Sequence, residues 1–93
     1  MGVYDEAEKL LVWLKGHAIP GQDSTVWRRD DFWNVLKYSE YGLTTQHRWE
    51  IDHIVASALG GSDSLANLRP LHHSVNASLG GVLGGILGRA GKR

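Results

Sequence analysis

Residues 49–76 read WEIDHIVASALGGSDSLANLRPLHHSVN, and how this stretch folds decides the architecture. Trp49, Ile51 and His53 alternate with Glu50, Asp52 and Ile54, the period-two pattern of a short strand. Gly60-Gly61-Ser62-Asp63 is a turn, and Leu68-Arg69-Pro70-Leu71 reads as the returning strand. Pro70 offers no N–H to a ladder and is best tolerated at an edge. Ser74 stands where it can cap a helix beginning near Val75. A hairpin followed by a helix is therefore the expected centre of the fold.

Upstream, residues 4–15 (YDEAEKLLVWLK) predict a helix capped by Asp5 and ending at Lys15-Gly16. Leu10, Leu11 and Leu14 form its apolar stripe, widened by Val12 and Trp13. Residues 17–23 (HAIPGQD) are a Pro-Gly turn. A second, shorter helix is expected from about Asp30 to Tyr38, capped by Asp30 or Asp31, with Gly42 as a stop signal. Trp27, Phe32, Trp33, Val35 and Leu36 are candidates for the core. Arg28 and Arg29 read as solvated surface, with reach to a phosphate from beside Trp27.

The chain has 93 residues, no cysteine and a formal net charge of zero. That length suits one domain near the lower size limit for a single core, with a metal as a common aid. Disulfides and Cys-based zinc knuckles are excluded. No leader pattern opens the sequence, and a cytoplasmic location is the default. Residues 1–46 hold five Lys or Arg against seven Asp or Glu, and residues 47–93 hold five against three. The later half is accordingly the mildly basic one and the expected nucleic-acid face.

Asp52 and His53 carry the most chemistry. An imidazole titrating near ~6.5 can be neutral and take a proton from water, while a carboxylate offers a hard oxygen to a divalent cation. Phosphodiester hydrolysis needs such a base and such a cation, held in register. Adjacent strand residues point to opposite faces. The two side chains can share a site only where the strand ends, His53 facing a groove and Asp52 reaching the metal from the strand's edge. Packing both into a hydrophobic neighbourhood with no partners would be costly.

The pattern extends through Ile19-Pro20-Gly21, Trp27-Arg28-Arg29-Asp30, Tyr41-Gly42, Trp49 to Ile54, Gly60 to Asp63, and Asn67 to His72. Over roughly residues 17–80 the chain resembles a cysteine-free bacterial and phage subgroup of the HNH endonucleases, whose motif is the ββα-metal fold. The resemblance implies His53 as general base and Asp52 as metal ligand. It makes Asn67 the loop staple that orients the histidine, and Asn76 the second protein ligand. Two oxygen ligands and open positions suit Mg²⁺ or Mn²⁺. His72, Arg48, Arg69 and Glu50 are candidates for supporting or phosphate contacts. The sequence departs from the family at Leu79, where a basic residue is usual, and at Val75, where a polar one is common.

The resulting expectation is an α+β fold, residues 1–93 forming one domain. A helical part (1–46) packs on a ββα-metal core (47–79), followed by a Gly-rich basic tail (80–93). The function implied is metal-dependent hydrolysis of DNA, with double-stranded DNA the expected partner and no membrane attachment. A catalytically weak nucleic-acid-binding module, or a phage-assembly module associating through the tail, is the alternative. The spacing of Gly80, Gly84 and Gly88 would let a helix approach another backbone closely.

Overall fold

Asp5 starts the first helix. Its side chain accepts the Glu8 N–H at 2.8 Å while the Glu8 carboxylate accepts the Asp5 N–H at 3.0 Å, a reciprocal capping box. In the computed structural model, which describes residues 4–76, this helix α1 runs Glu6–Trp13. Its buried residues are Val12 and Trp13, whereas Leu10, Leu11 and Leu14 stay half exposed. The expected leucine stripe is thus corrected. With only two turns, the helix spends its inward positions on the indole, which buries more apolar surface than a leucine.

Three short strands follow as one antiparallel sheet: β1 His17–Ala18, β2 Trp27–Arg29 and β3 Val35–Lys37. The helix expected from Asp30 to Tyr38 is not formed. Asp30 does act as a cap, but of a turn: its Oδ1 accepts the N–H groups of Phe32 (2.9 Å) and Asn34 (2.8 Å). The Asp30 N–H meanwhile reaches Asn34 O at 3.0 Å. An aspartate can serve either structure, and here the pairing of Arg29 with Val35 and Trp27 with Lys37 favours the hairpin. Residues 1–46 are therefore only partly helical. Phe32 and Trp33, expected in the core, lie exposed at the hairpin tip.

The second sheet is the hairpin β4 Trp49–His53 and β5 Leu68–His72, paired from Trp49↔His72 to His53↔Leu68. With only two strands each has an open edge, so Pro70 is accommodated. Helical backbone resumes at residues 73–76. His72 rather than Ser74 sits at its start, with Nδ1 accepting the Ser74 N–H at 3.1 Å. The rest of the expected final helix, Leu79 and the tail 80–93 fall outside the described residues.

Val12, Trp13, Leu36, Trp49 and Leu68 form the core, with Tyr4, Tyr38, Tyr41 and Ile51 against it. The Trp13 and Trp49 rings lie 5.1 Å apart, and Tyr41 meets Trp49 edge-on at 4.8 Å. Both indole N–H groups are satisfied, by Ser24 O and Tyr38 O. Arg28, expected at the surface, is a staple: it donates to Ser24 O at 2.9 Å and Gly16 O at 2.9 Å. Lys15 ties the end of α1 to the carbonyls of Leu65 and Leu68. The result is a small α+β domain with two antiparallel sheets. Among the described residues no helix is long and apolar enough to cross a membrane.

Candidate functional site

The segment joining β4 to β5 is pinned by one side chain. Asn67 Oδ1 accepts the Val55 N–H at 2.8 Å, and Nδ2 donates to Val55 O at 3.1 Å and Ser62 O at 2.7 Å. An amide donates and accepts from one planar group, which suits it to close a loop. The glycine pair has a steric cause. Gly60 has φ +90°, and a Cβ on Gly61 would lie 1.7 Å from Val55 O and 2.9 Å from Asn67 Nδ2. Only hydrogen fits at Gly61 while the loop stays closed.

That closure returns Asp63 to the end of β4, where His53 is the last strand residue. His53 Nε2 lies 2.6 Å from Asp63 Oδ1; the imidazole is 12% exposed and the carboxylate 83%. A carboxylate only accepts, so Nε2 carries a hydrogen, and in the neutral ring the lone pair resides on Nδ1. Among the described residues no hydrogen bond engages that Nδ1. The start of α1 adjoins this corner. Tyr4 has its phenol pushed above the ordinary value by burial first and by the Asp63 carboxylate second.

Glu50 and Asp52 share the other face of β4. Asp52 is fully buried, and its Oδ2 accepts Arg69 Nε at 2.9 Å from the facing strand position. Arg69 also lies 4.0 Å from Asp31 Oδ2 and 5.4 Å from the Phe32 ring centroid. Glu50 accepts Asn76 Nδ2 at 2.6 Å and lies 2.9 Å from His73 Nδ1. The acceptor at Glu50 orients the Asn76 amide, leaving Asn76 Oδ1 buried without a donor among the described residues. An unpaired buried carbonyl is costly, and it is a hard oxygen of the type divalent cations take.

The strand does end at His53, but Asp52↔Arg69 and His53↔Leu68 both stay in register. Alternation consequently directs Asp52 and His53 to opposite faces. The departure from the ladder comes one residue later, where Ile54 N–H turns to Asn67 O at 2.8 Å. Arg48 closes its own turn, donating to Thr45 O at 2.8 Å. His72 lies 2.7 Å from Gln46 O through Nε2 and bonds Ser74 Oγ through Nδ1.

Two residues escaped sequence reasoning. From sequence, Asp63 is only part of a turn, although its place after Gly-Gly returns it to His53. Asp30 was read as a helix cap, yet its fully buried carboxylate also accepts the His72 N–H at 2.9 Å and so joins the two sheets. No signal in the sequence marks that second bond. Among the described residues no group of three or more His, Cys, Asp or Glu is arranged to hold a metal ion. Comparison with protein-family models, curated proteins and solved structures yields no match to this chain.

Proposed function

We propose that the chain is a metal-dependent endonuclease of the HNH type, hydrolysing DNA phosphodiester bonds at a ββα-metal site. The site comprises the end of β4, β5 and the helical turn at 73–76, and it requires Asp52 and His53, which leave β4 on opposite faces, to reach one phosphate around the strand end. The observation that carries the reading is the setting of His53: Nε2 held by Asp63 and Nδ1 with no hydrogen-bond partner among the described residues, beside a loop pinned by Asn67. Nδ1 takes the proton from water as the oxygen attacks phosphorus in line. Asp63 keeps the tautomer and steadies the imidazolium that forms. Asn67 holds the loop that carries Asp63, and so acts as a positioning residue.

Asp52 and Asn76 are the residues that would hold Mg²⁺ or Mn²⁺. The fit rests on the buried oxygen of Asn76, without a partner among the described residues, and on the buried carboxylate of Asp52. A cation bound there supplies neutralising charge for the phosphate and the departing 3′-oxygen. Glu50 orients the Asn76 amide through its 2.6 Å hydrogen bond.

A second reading, a nucleic-acid-binding module that cuts weakly or not at all, is favoured by Arg69. Its guanidinium stands 2.9 Å from Asp52 Oδ2, where it competes with a cation for the same carboxylate. The test is conversion of supercoiled plasmid in Mg²⁺ or Mn²⁺ against EDTA, with wild type, His53→Ala and Asp52→Ala. Cutting abolished by EDTA and by both substitutions supports the nuclease. Binding without cutting, in folded protein, selects the second reading.

A further inference from the structure

A groove with no part in this reaction runs beside the β1–β2–β3 sheet. Two cavities of ≈ 290 and ≈ 400 Å³ share Arg29, Val35 and His47 in their linings. Trp27 lines the smaller; Trp33, Asn34, Gln46 and His72 line the larger. Neither lining includes a carboxylate among the described residues. A guanidinium, side-chain amides and indole faces without an acid match the chemistry of a nucleotide: phosphate to the cation, base to the ring.

Trp33 is the unusual element. It is 60% exposed and, among the described residues, the one non-glycine with positive φ, +72°. That conformation is strained for a bulky L-residue, and it persists because Asp30 grips the N–H groups on either side. An indole displayed this way contributes little to the core. Arg29 donates to Trp33 O at 2.8 Å and lies 5.8 Å from the Trp33 ring centroid. The same loop sets Phe32 5.4 Å from Arg69, so it reaches from the groove to the buried Asp52–Arg69 pair. His72, in the groove lining, is four positions along β5 from Leu68, the partner of His53. That is about 13 Å along the strand, within reach of a short stretch of one DNA strand.

We infer that this groove binds one unstacked nucleotide, base on Trp33 and phosphate on Arg29, so that the preferred substrate is single-stranded or locally opened DNA. The inference rests on the nucleic-acid reading above and names the form of the substrate. It is tested by fluorescence anisotropy with a labelled single-stranded oligonucleotide and its duplex, in EDTA so that nothing is cut. Wild type, His53→Ala and Trp33→Gly are compared, each with its thermal midpoint. Glycine accepts positive φ, so Trp33→Gly is expected to melt no lower than wild type. It is expected to bind the single strand roughly tenfold more weakly. Unchanged single-strand affinity in Trp33→Gly, or wild type preferring the duplex, overturns the inference. Binding that depends on Trp33 with no plasmid cutting keeps the inference and removes the nuclease. Cutting that depends on His53, with Trp33→Gly unimpaired in binding, does the reverse.

Discussion

His53 Nε2 and Asp63 Oδ1 stand 2.6 Å apart although the two residues belong to opposite sides of a long loop. The contact selects the tautomer of the imidazole and leaves Nδ1 as its basic atom. It exists because Gly61 has no Cβ and because Asn67 binds the backbone on both sides of the turn.

Replacing the base should cost the most activity. His53→Ala is expected to lower metal-dependent plasmid cleavage by about 10²–10⁴-fold. Asp63→Asn should cost far less, since an amide oxygen can still accept from Nε2 and the native carboxylate is largely exposed and screened. Initial rates of nicking for the two variants check the order; equal losses would mean that the full charge of Asp63, and not only an accepting oxygen, is required.

Gly61→Ala drives a methyl into Val55 O. The loop must open, at a cost of about 3 kcal/mol. Asn67→Ala removes three hydrogen bonds to backbone and should cost about 1–3 kcal/mol. Because the added methyl would also crowd Asn67 Nδ2, the double substitution should cost less than the sum. Urea unfolding of the three variants reads this directly, and strict additivity would refute the shared loop closure.

Arg69→Met leaves the buried Asp52 carboxylate without its guanidinium, and about 3–5 kcal/mol of stability should be lost. If Asp52 is a metal ligand, Mg²⁺ should recover part of that loss by binding the folded state. The measurement is the thermal midpoint of wild type and Arg69→Met with and without MgCl₂. A variant indifferent to Mg²⁺ and Mn²⁺ would remove Asp52 from the ligand set.

Acid should loosen the loop before β4. The Thr45 hydroxyl holds the Glu40 carboxyl below its ordinary value of 4.5; burial opposes it, and the His47 N–H and nearby positive charge add to the lowering. Its folded pKa is depressed, so the stability it contributes is fully present above the unfolded value. That contribution is lost as pH falls through the folded one. Wild type should therefore lose more stability than Glu40→Gln between about pH 5 and about pH 3. Parallel unfolding curves across that range would show that the Thr45 contact contributes nothing.

Local signals are legible in the sequence where one short segment satisfies its own backbone groups. Asp5 and Glu8 close a capping box within one helical turn. The alternation from Trp49 to His53 became β4, and Leu68 to Leu71 became the body of β5. Asp30 shows the limit. Its carboxylate can cap a helix or tie a hairpin tip with the same atoms, and the choice lay with strands β2 and β3 finding each other. Leu10, Leu11 and Leu14 are the obvious core residues of α1 from sequence, but the core is organised by tilted and edge-on aromatic rings from three distant segments.

By itself, the sequence determined the helix start, the hairpin with its glycine turn, and the residue types able to hold a proton or a cation. Each follows from backbone chemistry within a few neighbouring residues. Only the tertiary structure decided which side chains meet. It brought Asp63 to His53, Arg69 to Asp52 and Asn76 to Glu50, and it displayed Trp33 beside Arg29. Such contacts depend on strand register and on loop closure across the chain, and local spacing does not encode either.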